Sequence, residues 1–197
     1  MRRSVFALAF LGIVGSSFAG NIVLNKPVTL HGTFGVLRPG SPWTANPVAP
    51  GSAVVDGTFL GNGHLWNDGT VWWDGTLRES ASNYLEIDLG GLHVFTSLVL
   101  EADNNDVYDI YVNDPNVGWF YWGYVGPTDT WGLHQFSAPA VPGSWQTLGF
   151  RLAARGGDGY YSVSEFQVEG APVPEPGTLA LAGLGLAAAW RARRRRA

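Results

Sequence analysis

Tyr84-Leu85-Glu86-Ile87-Asp88-Leu89 is the stretch that decides the fold, because polar and apolar residues alternate strictly along it. Successive side chains of a β-strand point to opposite faces, so Leu85, Ile87 and Leu89 share one face. The pattern therefore predicts a β-strand whose leucine and isoleucine side chains lie on a hydrophobic core.

Further strands are predicted on both sides of this stretch, at residues 22–30, 94–100, 107–112, 120–125, 147–153 and 160–168. In the segment 147–153, Leu148, Phe150 and Leu152 face one way. Residues 35–52 are rich in proline and glycine and predict a long loop. Short strands at this spacing, separated by Gly, Asp and Asn turns, predict an all-β fold, a β-sandwich.

The beginning of the chain has the pattern of a secretory signal peptide. Arg2 and Arg3 precede an apolar stretch at residues 5–14, and small residues follow up to Ala19. This order of a basic, an apolar and a small-residue region predicts a signal peptide over residues 1–19, read by the Sec machinery and cleaved after Ala19. Export agrees with the absence of cysteine, which excludes a disulfide framework and a thiolate nucleophile.

The end of the chain has a second signal. Pro174, Glu175 and Pro176 lead into the uncharged segment 178–190, and an arginine cluster follows at residues 191–196. As a helix the segment spans about 20 Å, less than the roughly 30 Å hydrocarbon core, but flanking arginines can snorkel and lengthen it. Because clustered arginines favour the cytoplasmic side, we expect a short transmembrane helix that anchors the tail in the inner membrane, with the domain outside.

These features together resemble the PEP-CTERM sorting domain of Gram-negative bacteria, and we assign residues 171–197 to this tail. The resemblance implies that an exosortase recognises the tail and cuts near Pro174, Glu175 and Pro176. It also implies a final location at the cell surface or in the extracellular matrix.

One domain remains between the two signals, residues 20–170. It holds five basic and fifteen acidic residues, a net charge of −10, whereas the whole chain carries −4. This negative charge argues against nucleic acid and anionic membrane surfaces as partners. It permits cations or neutral ligands such as sugars.

The domain resembles a discoidin domain, the coagulation factor 5/8 C-terminal type. Five segments correspond in order: residues 25–29, residues 54–57 with Trp66 downstream, residues 84–90, residues 108–112 followed by Trp119, and residues 162–170. The resemblance implies a galactose-binding-like jelly roll, which is a β-sandwich.

The same resemblance implies one structural calcium ion. Asp56 matches the aspartate of the family's calcium loop, and Glu165 matches the acid near the last strand, with backbone carbonyls around Ala53 and Thr58 completing an oxygen shell. The loop departs from the family because it is longer and has His64 where a threonine is usual. Alternatively, Asp56 only caps a turn. We interpret the second acidic cluster, residues 103–106, as a turn rather than a metal site.

Catalytic motifs are missing from the sequence. Cysteine is absent, no Gly-x-Ser-x-Gly motif occurs, and the four histidines lack the spacing of a zinc site. Carboxylates are abundant enough for glycoside hydrolysis, but they form no motif. We therefore predict a noncatalytic protein and keep a polysaccharide-acting enzyme as an alternative.

Eight tryptophans lie in the domain, and three of them, Trp66, Trp72 and Trp73, fall in the polar segment 56–80 together with His64. Exposed indoles among polar residues can stack on a sugar ring, so we predict that these four residues bind carbohydrate. Alternatively, the indoles cover the end of the sandwich. The sequence thus predicts an exported, exosortase-sorted envelope or matrix protein with a carbohydrate-binding module, or else a structural surface protein without a defined ligand.

Overall fold

The alternating stretch of the sequence opens the longest strand of the protein, β4 (Tyr84–Asp103). Leu85, Ile87 and Leu89 are buried in the core, whereas Glu86 is half-buried and Asp88 is exposed. The predicted strand and its inward face are therefore confirmed.

The computed structural model describes residues 20–75, 82–128, 130–138, 145–174 and 176–194. Besides β4, the strands are β1 (Gly20–Asn21), β2 (Val28–His31), β3 (Val71–Asp74), β5 (Val107–Asp114), β6 (Gly118–Val125), β7 (Leu133–Ala138), β8 (Trp145–Gly156) and β9 (Tyr160–Pro172). A 3-10 helix (Gly51–Val55) precedes β3, and the helix α1 (Pro176–Arg194) follows β9.

β4 belongs to both layers of the fold. Its first part pairs with β2 and β8, and its second part pairs with β7 and β9, all antiparallel. The register shifts between Asp88 and His93, where the strand passes from one layer to the other. β8 continues the first layer through β5 and β6, and β9 continues the second through β1 and β3. One continuous sheet thus forms a β-sandwich, which confirms the predicted all-β fold.

The hydrophobic core lies between the two layers. Phe150 of β8 packs edge-on against Phe166 of β9 with 5.4 Å between ring centroids, and against Phe95 of β4 at 5.2 Å. All three side chains are fully buried. Each stabilises the fold by about 1.5–3 kcal/mol through removal of apolar surface from water.

Several predicted strand boundaries were wrong. Residues 22–30 form no single strand, because the chain turns at Asn25, which has a positive φ of 57°, between β1 and β2. β7 was not predicted, and β3 lies in the polar segment 56–80, where no strand was predicted. Leu148 does not share the full burial of Phe150 and Leu152, since it lies in a surface groove at the end of the layer.

The tail begins directly after the sheet. Val173 N–H donates the last backbone hydrogen bond of the domain, to the Leu92 carbonyl at 2.8 Å, and α1 starts at Pro176. Within the described residues, no helix is both long and apolar enough to cross a membrane, so the transmembrane helix predicted there is not found. The predicted signal peptide (residues 1–19, with Ala19) and Glu175 lie outside the described residues.

Candidate functional site

Trp72 and Trp73 are buried, and their predicted exposure to a ligand was wrong. Both lie on β3, which pairs with β9. Because consecutive strand residues point to opposite faces, both faces of β3 must be covered. Trp73 packs in the core against Tyr161, at 5.6 Å between ring centroids, while the Trp72 indole N–H donates to the Asn46 carbonyl at 3.1 Å. Neither ring can stack on a sugar.

The long loop predicted at residues 35–52 covers the outer face of β3. Gly35 N–H donates to the Trp72 carbonyl at 3.1 Å, and Ala49 N–H donates to the Thr70 carbonyl at 2.9 Å. The loop was predicted from its proline and glycine content. Its packing against β3 is a tertiary contact, which local sequence patterns do not predict.

A small cleft opens where several turns meet at this end of the sandwich. Its volume is about 70 Å³, and it is lined chiefly by Trp43, Trp66, Asp103, Asn105, Trp131 and Asp158. A single water needs about 10–15 Å³ measured in the same way, so the cleft holds a few waters or one substituent of a sugar ring. A whole ring must therefore lie across its mouth.

Two indoles are exposed at this mouth. Trp131 is 66% exposed and Trp43 is 36% exposed, whereas Trp66 is only 4% exposed and forms a wall. Trp43 stands edge-on to Trp66 with 5.8 Å between ring centroids. The exposed aromatic surface was predicted in residues 56–80, but the loops that carry Trp43 and Trp131 provide it instead. In the sequence, each of these two loops could be recognised only by one isolated tryptophan among Pro, Gly, Thr and Asp residues.

The loop that carries Trp131 is held from two sides. The Gly132 carbonyl accepts hydrogen bonds from the Asn104 side chain and backbone. Gly132 has a positive φ of 75° and lies against the His64 carbonyl, which accepts from Leu133 N–H at 2.8 Å. A side chain at position 132 would collide there, so glycine is required. Trp131 therefore has a fixed base despite its exposure.

His64 contributes its backbone, not its ring, to this region. The ring Nε2 lies 2.9 Å from the Asp68 carbonyl, and the side chain is not part of the cleft lining. The predicted ligand-binding role of His64 has no direct geometric support.

The acidic cluster at residues 103–106 is a turn, as interpreted, and it also places carboxyl groups at the cleft. Asp106 is fully buried and accepts hydrogen bonds from Asp158 N–H and from the Tyr108 hydroxyl. Burial, with Asp103 and Asp158 nearby, raises the pKa of Asp106 to about 9, so this carboxyl is protonated at pH 7.

Asp103 faces the cleft from the end of β4. Its Oδ1 accepts from Asn104 N–H at 2.9 Å, and burial raises its pKa to about 7. Asp158 is exposed, and its two oxygens accept from Tyr160 N–H at 2.8 Å and from the Asn105 amide at 3.0 Å.

Asp56 and Glu165, the predicted calcium ligands, lie close together. Glu165 is fully buried, and its Oε1 accepts from Gly57 N–H at 3.0 Å. Its Oε2 is buried and has no hydrogen-bond partner among the described residues. Burial, opposed by hydrogen bonds from Gln167 and Gly57 and reinforced by the nearby Asp56 carboxylate, raises the pKa of Glu165 to about 7. An orphaned oxygen beside a second carboxylate fits a cation.

Two features qualify this arrangement. Asp56 Oδ1 accepts from Thr58 N–H at 2.8 Å, which is the turn cap of the alternative interpretation. Among the residues that the structure covers, no group of three or more acidic or histidine side chains could hold a metal. A calcium ion would therefore take most of its oxygens from backbone carbonyls.

Glu101 has a structural role that the sequence did not predict. It is fully buried, and its carboxylate accepts from Leu60 N–H at 2.7 Å, Gly61 N–H at 2.9 Å and Ser164 Oγ at 2.7 Å. It fixes the segment after Asp56 to β4 and β9. In the sequence it is an ordinary glutamate after an apolar run, with no signal of burial.

Residues 172–196 match the PEP-CTERM protein-sorting motif. The sequence has no match among curated proteins. Its fold resembles that of a fucolectin from striped bass (Morone saxatilis) serum, with 13% identity and a TM-score of 0.54 over 81% of this chain and 51% of that one.

Two bacterial modules are more distant in fold. A chitosan-binding module of a Paenibacillus chitosanase/glucanase has 18% identity and a TM-score of 0.46, covering 75% of this chain and 97% of that one. A family 32 carbohydrate-binding module from C. perfringens, solved with galactose, has 12% identity and a TM-score of 0.46, covering 77% and 99%. The motif match confirms the predicted PEP-CTERM tail, and the fold of the fucolectin agrees with the predicted β-sandwich. The chain is an exported protein whose sorting motif follows a domain of this fold.

Proposed function

We propose that this protein is a noncatalytic glycan-binding module displayed at the cell surface or in the extracellular matrix. The observation that carries the proposal is the cleft with Trp131, 66% exposed, at its mouth and with Asp103, Asn105 and Asp158 in its lining. Sugar-binding sites combine an apolar platform with a few converging polar groups, and this cleft has both.

The binding geometry follows from the size of the cleft. The apolar face of a sugar ring stacks on the exposed indole of Trp131 while one substituent enters the cleft. Ring hydroxyls then donate to carboxylate oxygens and accept from the Asn105 amide. One stacked ring gives modest affinity, which a surface array of copies raises by avidity.

A glycan array with the full-length chain tests this function. We expect Trp131→Ala to lose retention of any glycan that the wild type holds, with an unchanged melting temperature. The matched control is Trp145→Ala, which removes an indole of 38% exposure that does not line the cleft. Unchanged retention in Trp131→Ala would refute the site, and no retention by the wild type would favour a purely structural surface protein.

The enzyme alternative has less support. Glycoside hydrolysis uses two carboxylates that flank the scissile bond. Of the two carboxylates that line this cleft, Asp103 is only 5% exposed, and both oxygens of Asp158 already accept hydrogen bonds. Release of reducing ends from a polysaccharide by the purified chain would reverse this conclusion.

We also propose a structural calcium ion at Asp56 and Glu165. The orphaned Oε2 of Glu165 and the adjacent Asp56 carboxylate support it. When bound, the ion would neutralise both carboxylates and tie the loop after the 3-10 helix to β9. Its contribution to stability is predicted in the Discussion.

The tail, we propose, is an exosortase substrate. Before processing, its apolar segment holds the chain at the inner membrane while Arg191, Arg193 and Arg194 remain on the cytoplasmic side. Pro174 is exposed, and the last hydrogen bond of the domain is made by Val173, so a cut near the Pro174 motif leaves β9 paired. Intact-mass measurement of protein from the envelope tests this, and residues through Ala197 in the mature form would refute it.

A further inference from the structure

Asp103 is the carboxylate of the cleft whose charge is least compensated. It is only 5% exposed, yet it lines the cleft. Its Oδ1 accepts from Asn104 N–H, whereas its Oδ2 has no hydrogen-bond partner among the described residues. An ionised carboxylate removed from water is costly unless it is paired, and the raised pKa of Asp103 reflects that cost.

The described part of the chain provides no cation for it. None of the described residues that line the cleft is basic. Arg38 reaches the same end of the sandwich, but its Nε binds Asp74 Oδ1 at 2.5 Å and its Nη2 donates to the Gly159 carbonyl at 2.9 Å. The charged group that acts on Asp103 is another acid, Asp158, which adds to the negative potential.

The indoles favour the same kind of ligand. A cation over an indole face is attracted by the ring quadrupole, most strongly where water is partly excluded. Trp43 and Trp131 are exposed beside Asp103 at the mouth of the cleft. Carboxylate and aromatic faces thus converge on a space of about 70 Å³, which admits one small substituent.

We infer that the cleft binds a glycan with free amino groups, and that the protonated amine of one sugar enters the cleft and pairs with Asp103 while the ring stacks on Trp131. This inference rests on the proposed glycan-binding function and names its ligand class. An ammonium donates charge-assisted hydrogen bonds, which are roughly twice as strong as those of a neutral hydroxyl. The net charge of −10 in the domain adds long-range attraction for a polycationic chain.

The experiment compares a trimer of glucosamine with its fully N-acetylated counterpart, by calorimetric titration of the full-length chain at about pH 7, where a protonated amine and an ionised Asp103 can coexist. We expect the amine trimer to bind about tenfold tighter or more, since a hydrogen bond to a charged group contributes about 1.5–3 kcal/mol. The preference should shrink as salt is added, because ionic attraction is screened.

Three variants assign the preference to its residues. Asp103→Asn should bring the two trimers to similar affinities, and Trp131→Ala should weaken both. Asp88→Asn removes an exposed acid from the other end of β4 and should leave the preference unchanged. Melting temperatures establish that each variant is folded, and the wild-type comparison requires no variant.

The outcomes separate this inference from the proposed function. Equal binding of the two trimers by the wild type, or an undiminished amine preference in Asp103→Asn, overturns the amino-sugar inference and leaves glycan binding intact. If the wild type binds neither trimer, the amino-sugar inference is overturned. If it also binds no glycan on an array, the proposed glycan-binding function is overturned as well.

Discussion

The two ends of β4 carry acidic residues in opposite environments. At the first end, Glu86 is half-buried and pairs with Arg151, while its apolar neighbours fill the core. At the second end, Glu101 and Asp103 are buried, because the segment after Asp56 and the turns of the cleft cover that end. Alternation thus predicts burial only where one face of a strand meets water. Where loops cover both faces of the strand, the buried carboxylates hold those loops by accepting hydrogen bonds from them.

The largest effect should come from removing the fully bonded acid, Glu101. Glu101→Ala leaves Leu60 N–H, Gly61 N–H and the Gln135 side-chain amide without this acceptor, whereas the Ser164 hydroxyl keeps the backbone carbonyl of residue 101 at 3.1 Å. Each unsatisfied buried group costs about 1–3 kcal/mol, and these three donors are partly buried, so we expect a loss of about 3 kcal/mol in the free energy of unfolding. Urea denaturation measures it. A loss below about 1 kcal/mol would show that water replaces the carboxylate and that the two ends of β4 do not differ in this way.

Calcium should have the next largest effect, at the residue that faces Glu101 across the sheet. Glu165 pairs with Glu101 in register, but unlike Glu101 it keeps one oxygen without a partner. An ion that binds only the folded state at a hundredfold excess over its dissociation constant adds about 2.7 kcal/mol. The melting temperature should therefore rise by several degrees with calcium in the wild type, and not in Glu165→Gln. Identical curves with calcium and with chelator, in metal-free protein, would exclude the site.

The two ends of β4 also differ in how well the sequence predicts them. The strand 84–89, the sandwich and the sorting tail follow from local patterns, namely period two, turn residues and an ordered motif. β3 was missed because Val71, Trp72 and Trp73 are all buried, so the strand has no alternation. The cleft was missed because Trp43, Asp103 and Trp131 meet only through pairing between distant strands and loops.

A pH profile should also distinguish the covered end of β4 from the exposed one. Asp103 and Asp106 have pKa values of about 7 and about 9 in the fold, above the ordinary 3.8. At pH values above 3.8 and below its pKa in the fold, each carboxyl keeps its proton in the folded state and has lost it in the unfolded state. Stability must therefore fall as pH rises from about 4 through 9, by up to about 1.4 kcal/mol per pH unit for each group.

Asp106→Asn should reduce this slope, since the amide does not titrate and only Asp103 still contributes, whereas Asp88→Asn at the exposed position should leave it unchanged. Thermal unfolding at pH 5 and pH 8 measures both variants. Equal stability of the wild type at the two pH values would mean that water reaches the buried acids and that their charge is not penalised.

The smallest effect should come from Glu86, at the first end of the strand. Arg151 Nε lies 2.8 Å from Glu86 Oε2, but both side chains are about 30% exposed, so water and salt screen the pair. Such pairs contribute about 0–1 kcal/mol. Arg151 also remains fixed without its partner, because its guanidinium lies 4.0 Å from the Trp119 ring centroid and 4.8 Å from that of Tyr84. Glu86→Ala should therefore cost under about 1 kcal/mol in urea denaturation, and less still at high salt. A cost that approached that of Glu101→Ala would mean that the alternating end of β4 is as dependent on its acid as the covered end, and the contrast between them would fail.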